Sequence, residues 1–396
     1  MTEHNHNDIL TEDFSDIEPY DDHQFREMIE KIVAEPGFEH AVRYVMPDVD
    51  YPEFVKNLLT VQTQDDFQVK VMGPFLELLV AKTTDGLSCD GLENYDPSRA
   101  YTFITNHRDI VLDASFLNLC FIRNSLPLTQ VAIGNNLLIY EWITDLVKLN
   151  RSFIVKRDTG IREALEAAKH LSGYIHRTVC HKGESVWIAQ REGRAKDSND
   201  RTQESVIKML SLAGGGDSKD NLLQLNLMPV AISYEYDPND FLKVREFLLK
   251  RRDPDFKKSQ RDDLFSMEIG LLKKKGRVHF RLGRCINEEL AADPSDNRTD
   301  IVRHTCDILD RNIHCGYRLF PCNYIAYDEI NGTKEYSTEY TAADVASFDK
   351  YIDEQLAKVD VPDITDDERV FMRQTMLGMY ANPLRNQRSA RGCDSL

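Results

Sequence analysis

Between residues 22 and 82 the hydrophobic positions recur at helical intervals. In "HQFREMIEKIVAE" Phe25, Ile29 and Ile32 fall on one face, the spacing of an amphipathic helix. "FVKNLLTVQ" and "FQVKVMGPFLELLVAK" continue the pattern, and Pro74 is expected to break or kink the last piece. A helical subdomain is therefore predicted over 22–84. The period then changes. Short apolar or alternating runs appear in "GLSCDGLENYD", "YTFIT", "TQVAIG", "SFIVKR", "SVWIAQ", "LMPVAISYEY" and "RVHFRLG". Helix-like segments separate them near 110–122, 137–148, 160–177, 203–213 and 241–251. Strands alternating with helices predict an α/β domain with crossover connections, assigned to 85–330. Gly214-Gly215-Gly216 reads as a flexible stop, because no helix with a Lys-Ser/Thr pair follows as a phosphate loop requires. Residues 331–396 are predicted to be a helical extension and tail. Thr365-x-x-Glu368 forms a capping box before "RVFMRQTMLGMY". The last stretch, "NPLRNQRSARGCDSL", and the acidic residues 1–21 are expected to be disordered.

Charge narrows the function classes. The formal net charge of -17 argues against a dedicated nucleic-acid binder. A local basic span remains, with Lys243, Arg245, Lys250, Arg251, Arg252, Lys257, Lys258 and Arg261 close together. It reads first as a solvated face, with anionic lipid, coenzyme A phosphates or an acidic acyl carrier protein as possible partners. The 8 cysteines form no CxxC pair, as expected of reduced thiols. No basic start and apolar core mark a signal peptide, and no run of about 18 apolar residues marks a transmembrane helix.

Candidate chemistry concentrates in "TFITNHRDIVLDASF". A strand-like run stops at Asn106-His107. Asp109 suits the N-cap of a following helix. On that helix Asp113 shares an apolar, inward face with Phe116, Leu117 and Cys120. A buried carboxylate is costly unless it is paired or hydrogen-bonded, and His107 is the nearest polar partner in sequence. An Asp bonded to the His Nδ1–H fixes the tautomer and leaves Nε2 as a general base. The plainer alternative is a strand-end histidine in water, with Asp113 satisfied by another donor.

Three more stretches follow in order: Phe153-Ile154-Val155-Lys156-Arg157, Glu192-Gly193, and Met228-Pro229-Val230-Ala231-Ile232. With Asn-His-x-Asp ahead of them, the chain resembles the phospholipid/glycerol acyltransferase family over about residues 85 to 290. That family includes glycerol-3-phosphate and 1-acylglycerol-3-phosphate acyltransferases. Tyr234-Glu235 resembles the glycerol-3-phosphate branch. Two departures stand out. His107 to Asp113 is one residue longer than the family's His-x4-Asp. The third block carries Arg194, Ala195 and Lys196 where a small residue and then arginine are usual.

The resemblance implies a mixed sheet flanked by helices, with helical additions at both ends. It implies O-acyl transfer from a thioester to a hydroxyl of glycerol 3-phosphate or its 1-acyl form. His107 would be the base and Asp113 its orienter, with Asp109 as second choice. Arg157 would bind the acceptor phosphate, with Arg194 and Lys196 sharing that load. Glu192 would orient the acceptor, and Gly193 would allow close backbone approach near the oxyanion. No metal or cofactor is expected beyond acyl-CoA or an acyl carrier protein thioester as co-substrate. Nucleic acid is not expected as a partner. The expected location is cytoplasmic, with at most peripheral membrane contact. Rival readings are O-acylation of another hydroxylated lipid, such as a lyso amino-acid lipid, and a non-catalytic lipid-binding protein on the same fold. The scattered residues His304, Cys306, His314, Cys315 and Cys322 match no zinc spacing. Leu138, Trp142, Leu146 and Leu149 share a helical face that reads as core packing, with interfacial insertion as the alternative. No GxSxG elbow supports an acyl-serine route.

Overall fold

The computed structural model describes residues 8–157 and 160–392. Seven strands form one mixed sheet: β1 (Leu87–Asp90), β2 (Thr102–Thr105), β3 (Gln130–Gly134), β4 (Ser152–Val155), β5 (Val186–Ala189), β6 (Leu227–Tyr234) and β7 (Val278–Leu282). Their order is β1-β7-β6-β2-β5-β3-β4. All neighbours are parallel except β6 and β7, which pair antiparallel from Val230↔Leu282 to Tyr234↔Val278.

The two central strands, β2 and β6, are buried at every position. This is the continuous burial expected where helices cover both faces of a parallel sheet. Side chains alternate between those faces. Phe103 and Trp187 enter one core with the helices Gly73–Thr83 and Leu112–Arg123. Ile104 and Ile188 enter the other with Ile161–His176 and Arg298–Gly316. The order β6-β2-β5-β3-β4 is wholly parallel, so the C-terminal ends of these strands share one edge of the sheet. Open α/β sheets gather ligands at that edge.

The N-terminal helical segments between Asp22 and Met72 pack around Phe25, Ile29, Phe38 and Phe67. Trp142 belongs to the same cluster, with its ring 6.3 Å from that of Phe38, so its face serves core packing. A π-type turn, Gln68–Met72, leads into the helix Gly73–Thr83. Pro74 follows just after that π-type turn, a local break in the α-helical bonding of the kind expected beside a proline in a helical run.

Both expected tails differ in the structure. Residues 1–7 and 393–396 lie outside the described residues. From Ile9 onward the acidic tail is docked, with Phe14 and Ile17 buried in the sheet core. Ile17 O accepts from Ile154 N at 2.9 Å, and so covers the free edge of β4. At the other end the helix Asp366–Ala390 runs through Pro383 and most of the expected disordered stretch. Tertiary contacts override the local signal there. Tyr380 and Leu384 are buried, and Gln387 Nε2 donates to Tyr317 O at 2.8 Å. The Thr365 capping box is formed, with Glu368 Oε2 accepting from Thr365 N at 2.9 Å.

Candidate active site

At the end of β2 the chain leaves the sheet through Asn106. Its amide takes the place of a strand residue, donating to Ile232 O at 3.0 Å and accepting from Ile232 N at 2.8 Å. That double bond to β6 fixes where His107 begins. His107 Nδ1 lies 2.8 Å from Asp113 Oδ2. The same oxygen accepts from Arg108 N at 2.7 Å and Asp109 N at 3.0 Å, while Oδ1 accepts from Tyr234 Oη at 3.1 Å. A carboxylate so surrounded by donors acts as an acceptor toward the imidazole too. Nδ1 therefore carries the hydrogen, and Nε2 presents its lone pair. The imidazole stands edge-on to Trp187, with ring centroids 5.9 Å apart. Its side chain is 13% exposed, enough to meet a ligand.

The helix starts at Leu112, later than the expected Ile110. The loop 106–111 thus absorbs the extra residue between His107 and the acid, and Asp113 keeps an inward place in the first turn. Asp109 does different work. Its Oδ1 accepts from Val111 N at 2.9 Å and Leu112 N at 2.8 Å, satisfying amides at the helix start. Burial, and then the charge of Asp113, push the Asp109 carboxyl above its usual range. Asn239 Nδ2 approaches Asp109 Oδ2 at 3.3 Å. Burial, followed by the charges of Asp113 and Asp109, holds the Tyr234 hydroxyl well above its usual pKa, so it stays a donor.

The remaining candidates come from neighbouring strand ends. Arg157 follows β4. Its backbone N donates to Asn135 Oδ1 at 2.9 Å, and its Nε stands 3.8 Å from Glu192 Oε1. Gly134 makes room for it, since a Cβ there would meet Arg157 Nε at 2.8 Å. Glu192 is exposed, and Gly193 takes φ +68°, where L side chains are strained. None of the described residues lies within 4 Å of where a Gly193 Cβ would project.

Arg194 points elsewhere. It is 8% exposed, and its Nη1 is buried with no hydrogen-bond partner among the described residues. It lines a pocket with Asn239, Lys243, Lys196 and Phe265. Lys243 is paired with Asp237 at 2.6 Å, and Lys196 with Glu246, which leaves Arg194 as the uncommitted cation of the wall. The structure thus brings His107, Asp113, Asp109 and Tyr234 into one cluster. It puts Arg157 with Glu192 in a second group, and Arg194 with Lys196 in a third that adjoins the first through Asn239.

Sequence reasoning did not single out Tyr234, Asn239, Arg108 or Asp200 as site residues. Tyr234 had one usable signal. It closes a mostly apolar strand, and a buried tyrosine hydroxyl needs a partner. The others depend on contacts between segments far apart in the chain. Of the two histidines in 304–322, His314 is buried with Nε2 bonded to Asp200 O at 2.9 Å, and His304 is more exposed, 3.4 Å from Asp293.

No protein-family model matches the chain, and no curated protein matches it. Among solved structures it is similar to the 1-acyl-sn-glycerophosphate (LPA) acyltransferase PlsC from Thermotoga maritima. The identity is 10% and the TM-score 0.37, over 74% of this chain and 94% of that one. A likeness of that size supports no step of the chemistry, which stands on the residues of this chain alone.

Proposed function

We propose that the chain is an O-acyltransferase, moving an acyl group from a thioester to the hydroxyl of glycerol 3-phosphate or 1-acylglycerol 3-phosphate. The observation that carries this is the His107–Asp113 pair, with Nε2 free of any hydrogen bond to the described residues, at the ligand-gathering edge of the sheet. A hydroxyl is a poor nucleophile at neutral pH. Here its proton passes to His107 Nε2 as its oxygen attacks the thioester carbonyl. Asp113 holds the ring and stabilises the imidazolium. The C–S bond then breaks, and the leaving thiolate takes the proton back from His107. A positioned base of this kind is worth about 10²–10⁴-fold.

Arg194 Nη1, buried and without a hydrogen-bond partner among the described residues, supports a phosphate on the acceptor, because an open arginine N–H matches a phosphate oxygen. Arg157 is a second candidate. Its loose contact with Glu192 leaves it free to turn toward a ligand. The donor is acyl-CoA or an acyl carrier protein thioester, and the place of work is the cytoplasm or the inner membrane face. The same cluster serves another hydroxylated lipid equally well if neither arginine meets a phosphate.

The test is thiol release from acyl-CoA and acyl carrier protein thioesters with phosphorylated and unphosphorylated acceptors. Arg194→Ala should raise the KM of the phosphorylated acceptor roughly 10–150-fold, the loss expected for a charged hydrogen bond. His107→Ala should abolish turnover. Turnover preferring acceptors without phosphate, unchanged in Arg194→Ala and Arg157→Ala, would move the enzyme to other hydroxylated lipids. A folded His107→Ala variant keeping more than about a tenth of the activity would remove the base.

A further inference from the structure

Arg108 follows the candidate base directly, and its side chain turns away from the reaction. It is 4% exposed and meets Asp200 through both ends of its fork, Nη1 to Oδ1 at 3.0 Å and Nη2 to Oδ2 at 2.6 Å. Asp200 is wholly buried. It lies on the coil after β5, the same coil that carries Glu192, Gly193 and Arg194. Burial works against the Arg108 charge, yet the carboxylates around it, Asp200 first, hold its pKa above the ordinary value. The Arg108 guanidinium therefore keeps its charge in this buried place.

A buried ion pair is a weak source of stability, because desolvating both charges offsets their attraction. Its placement suggests other work. The far end of the coil is fastened to the helix Arg298–Gly316 and the residue after it. His314 Nε2 bonds Asp200 O at 2.9 Å, Tyr317 Oη donates to Asp200 Oδ2, and Asp310 Oδ1 accepts from Thr202 N at 2.7 Å. On the other side, the backbone N–H of Arg108 donates to Asp113 Oδ2, the oxygen that also holds His107. One residue therefore ties the His107–Asp113 pair to the coil that presents Arg194.

We infer that the Arg108–Asp200 pair is a positioning device that keeps the proton-accepting loop in register with the coil bearing the acceptor-binding residues. This rests on the acyltransferase reading above. A displacement of about 1 Å in such a frame can cost on the order of 100-fold in rate. Neither Arg108 nor Asp200 touches substrate in this account; both act through His107, Asp113 and Arg194.

Removing one charge leaves the other buried and unpaired, and a single variant can fail to fold. The test therefore uses the triple variant Arg108→Met, Asp200→Leu, Tyr317→Phe, which removes both charges and the hydroxyl together. Its thermal midpoint is expected to stay close to that of the wild type. Its kcat with a saturating acceptor should fall roughly 100-fold, the acceptor KM should rise, and the acyl-donor KM should hold. Arg108→Lys, which keeps the charge and loses the fork, should fall between the two. Without substrate, the downfield proton signal of the His107 Nδ1–H, assigned by its absence in His107→Ala, should weaken or disappear in the triple variant. A folded triple variant with wild-type kcat and an unchanged His107 signal would overturn the inference. If the wild-type protein transfers no acyl group at all, the functional reading fails, and the His107 signal alone still decides whether the pair positions the loop.

Discussion

Two wholly buried aspartates, four residues apart, are set to opposite tasks by their neighbours. Asp113 collects His107, two backbone amides and Tyr234, while Asp109 closes a helix start. In Asp113→Asn the amide oxygen can keep the backbone donors, and the NH2 can donate to the Tyr234 hydroxyl. The fold should hold while kcat falls about 10²–10⁴-fold, because a neutral partner no longer stabilises the imidazolium. Asp109→Asn should cost less than about tenfold, since asparagine caps as well as aspartate. Asn239 can turn its unpartnered Oδ1 toward the new amide. Steady-state rates of the two variants give the ranking, and the reverse order would make Asp109 the working acid. Lys196 adds a pH signature. Burial first, then nearby Lys258 and Arg194, depress its pKa to about 8 against the opposing pull of Glu246. Above that pH it loses its charge, so the KM of a phosphorylated acceptor should rise between about pH 7 and 9. Lys196→Arg, charged throughout, should flatten that rise; an identical rise in Lys196→Arg would assign it to another group. The inward place of Asp113 was legible from its spacing to Phe116, Leu117 and Cys120. Its bond to Tyr234 was not, because that partner lies 121 residues away across the sheet, beyond any local period.

At the scale of elements, the helix Gln260–Leu272 closes over the site, lining the Arg194 pocket through Phe265 and Ser266 and meeting the Asp109 loop at Gly270. A Cβ there would come within 2.0 Å of Asp109 Oδ2 and 3.2 Å of Asn239 Nδ2. Gly→Ala inside a helix normally stabilises by about 1 kcal/mol. Here overpacking should reverse the sign and destabilise by about 1–3 kcal/mol. It should also displace the Asp109 cap and lower turnover. Thermal unfolding of Gly270→Ala checks this, and an unchanged or raised midpoint would mean that the helix and the loop are not in contact. This helix escaped the sequence pattern for a physical reason. Leu264, Phe265, Met267, Ile269, Leu271 and Leu272 are spread widely around it instead of forming one stripe, and the positions it buries are Asp263, Ser266 and Gly270. The strands were legible as a set, since buried parallel strands read as short apolar runs. The single antiparallel pair, β6 with β7, has no signature in either strand alone.

Over the whole molecule, charge was legible in amount and not in arrangement. The basic span from 243 to 261 read first as a solvated face, with an anionic partner as the alternative, and most of its cations are already matched. Lys243 pairs with Asp237, Arg245 with Asp262, Lys250 with Glu246, and Lys258 with Asp263. Arg251 and Arg252 reach Asp367 and Glu368 at the start of the C-terminal helix, more than 100 residues on. Lys257 and Arg261 are left without an ion pair among the described residues, on a chain of net charge -17. Among the described residues no helix is long and apolar enough to cross a membrane. Attraction to an anionic bilayer is worth about 1 kcal/mol per free cation near the surface and fades within a Debye length. Two such cations against the surrounding acids should give no net attraction. In co-sedimentation, vesicles rich in phosphatidylglycerol should capture no more of the protein than phosphatidylcholine vesicles. The small amount captured should not fall as salt is raised. Paired with a preference for glycerol 3-phosphate over its 1-acyl form, that result would place the acceptor in solution. Strong binding to anionic vesicles that disappears in high salt would instead show that the ion pairs open at a membrane, and would point to a membrane-borne acceptor.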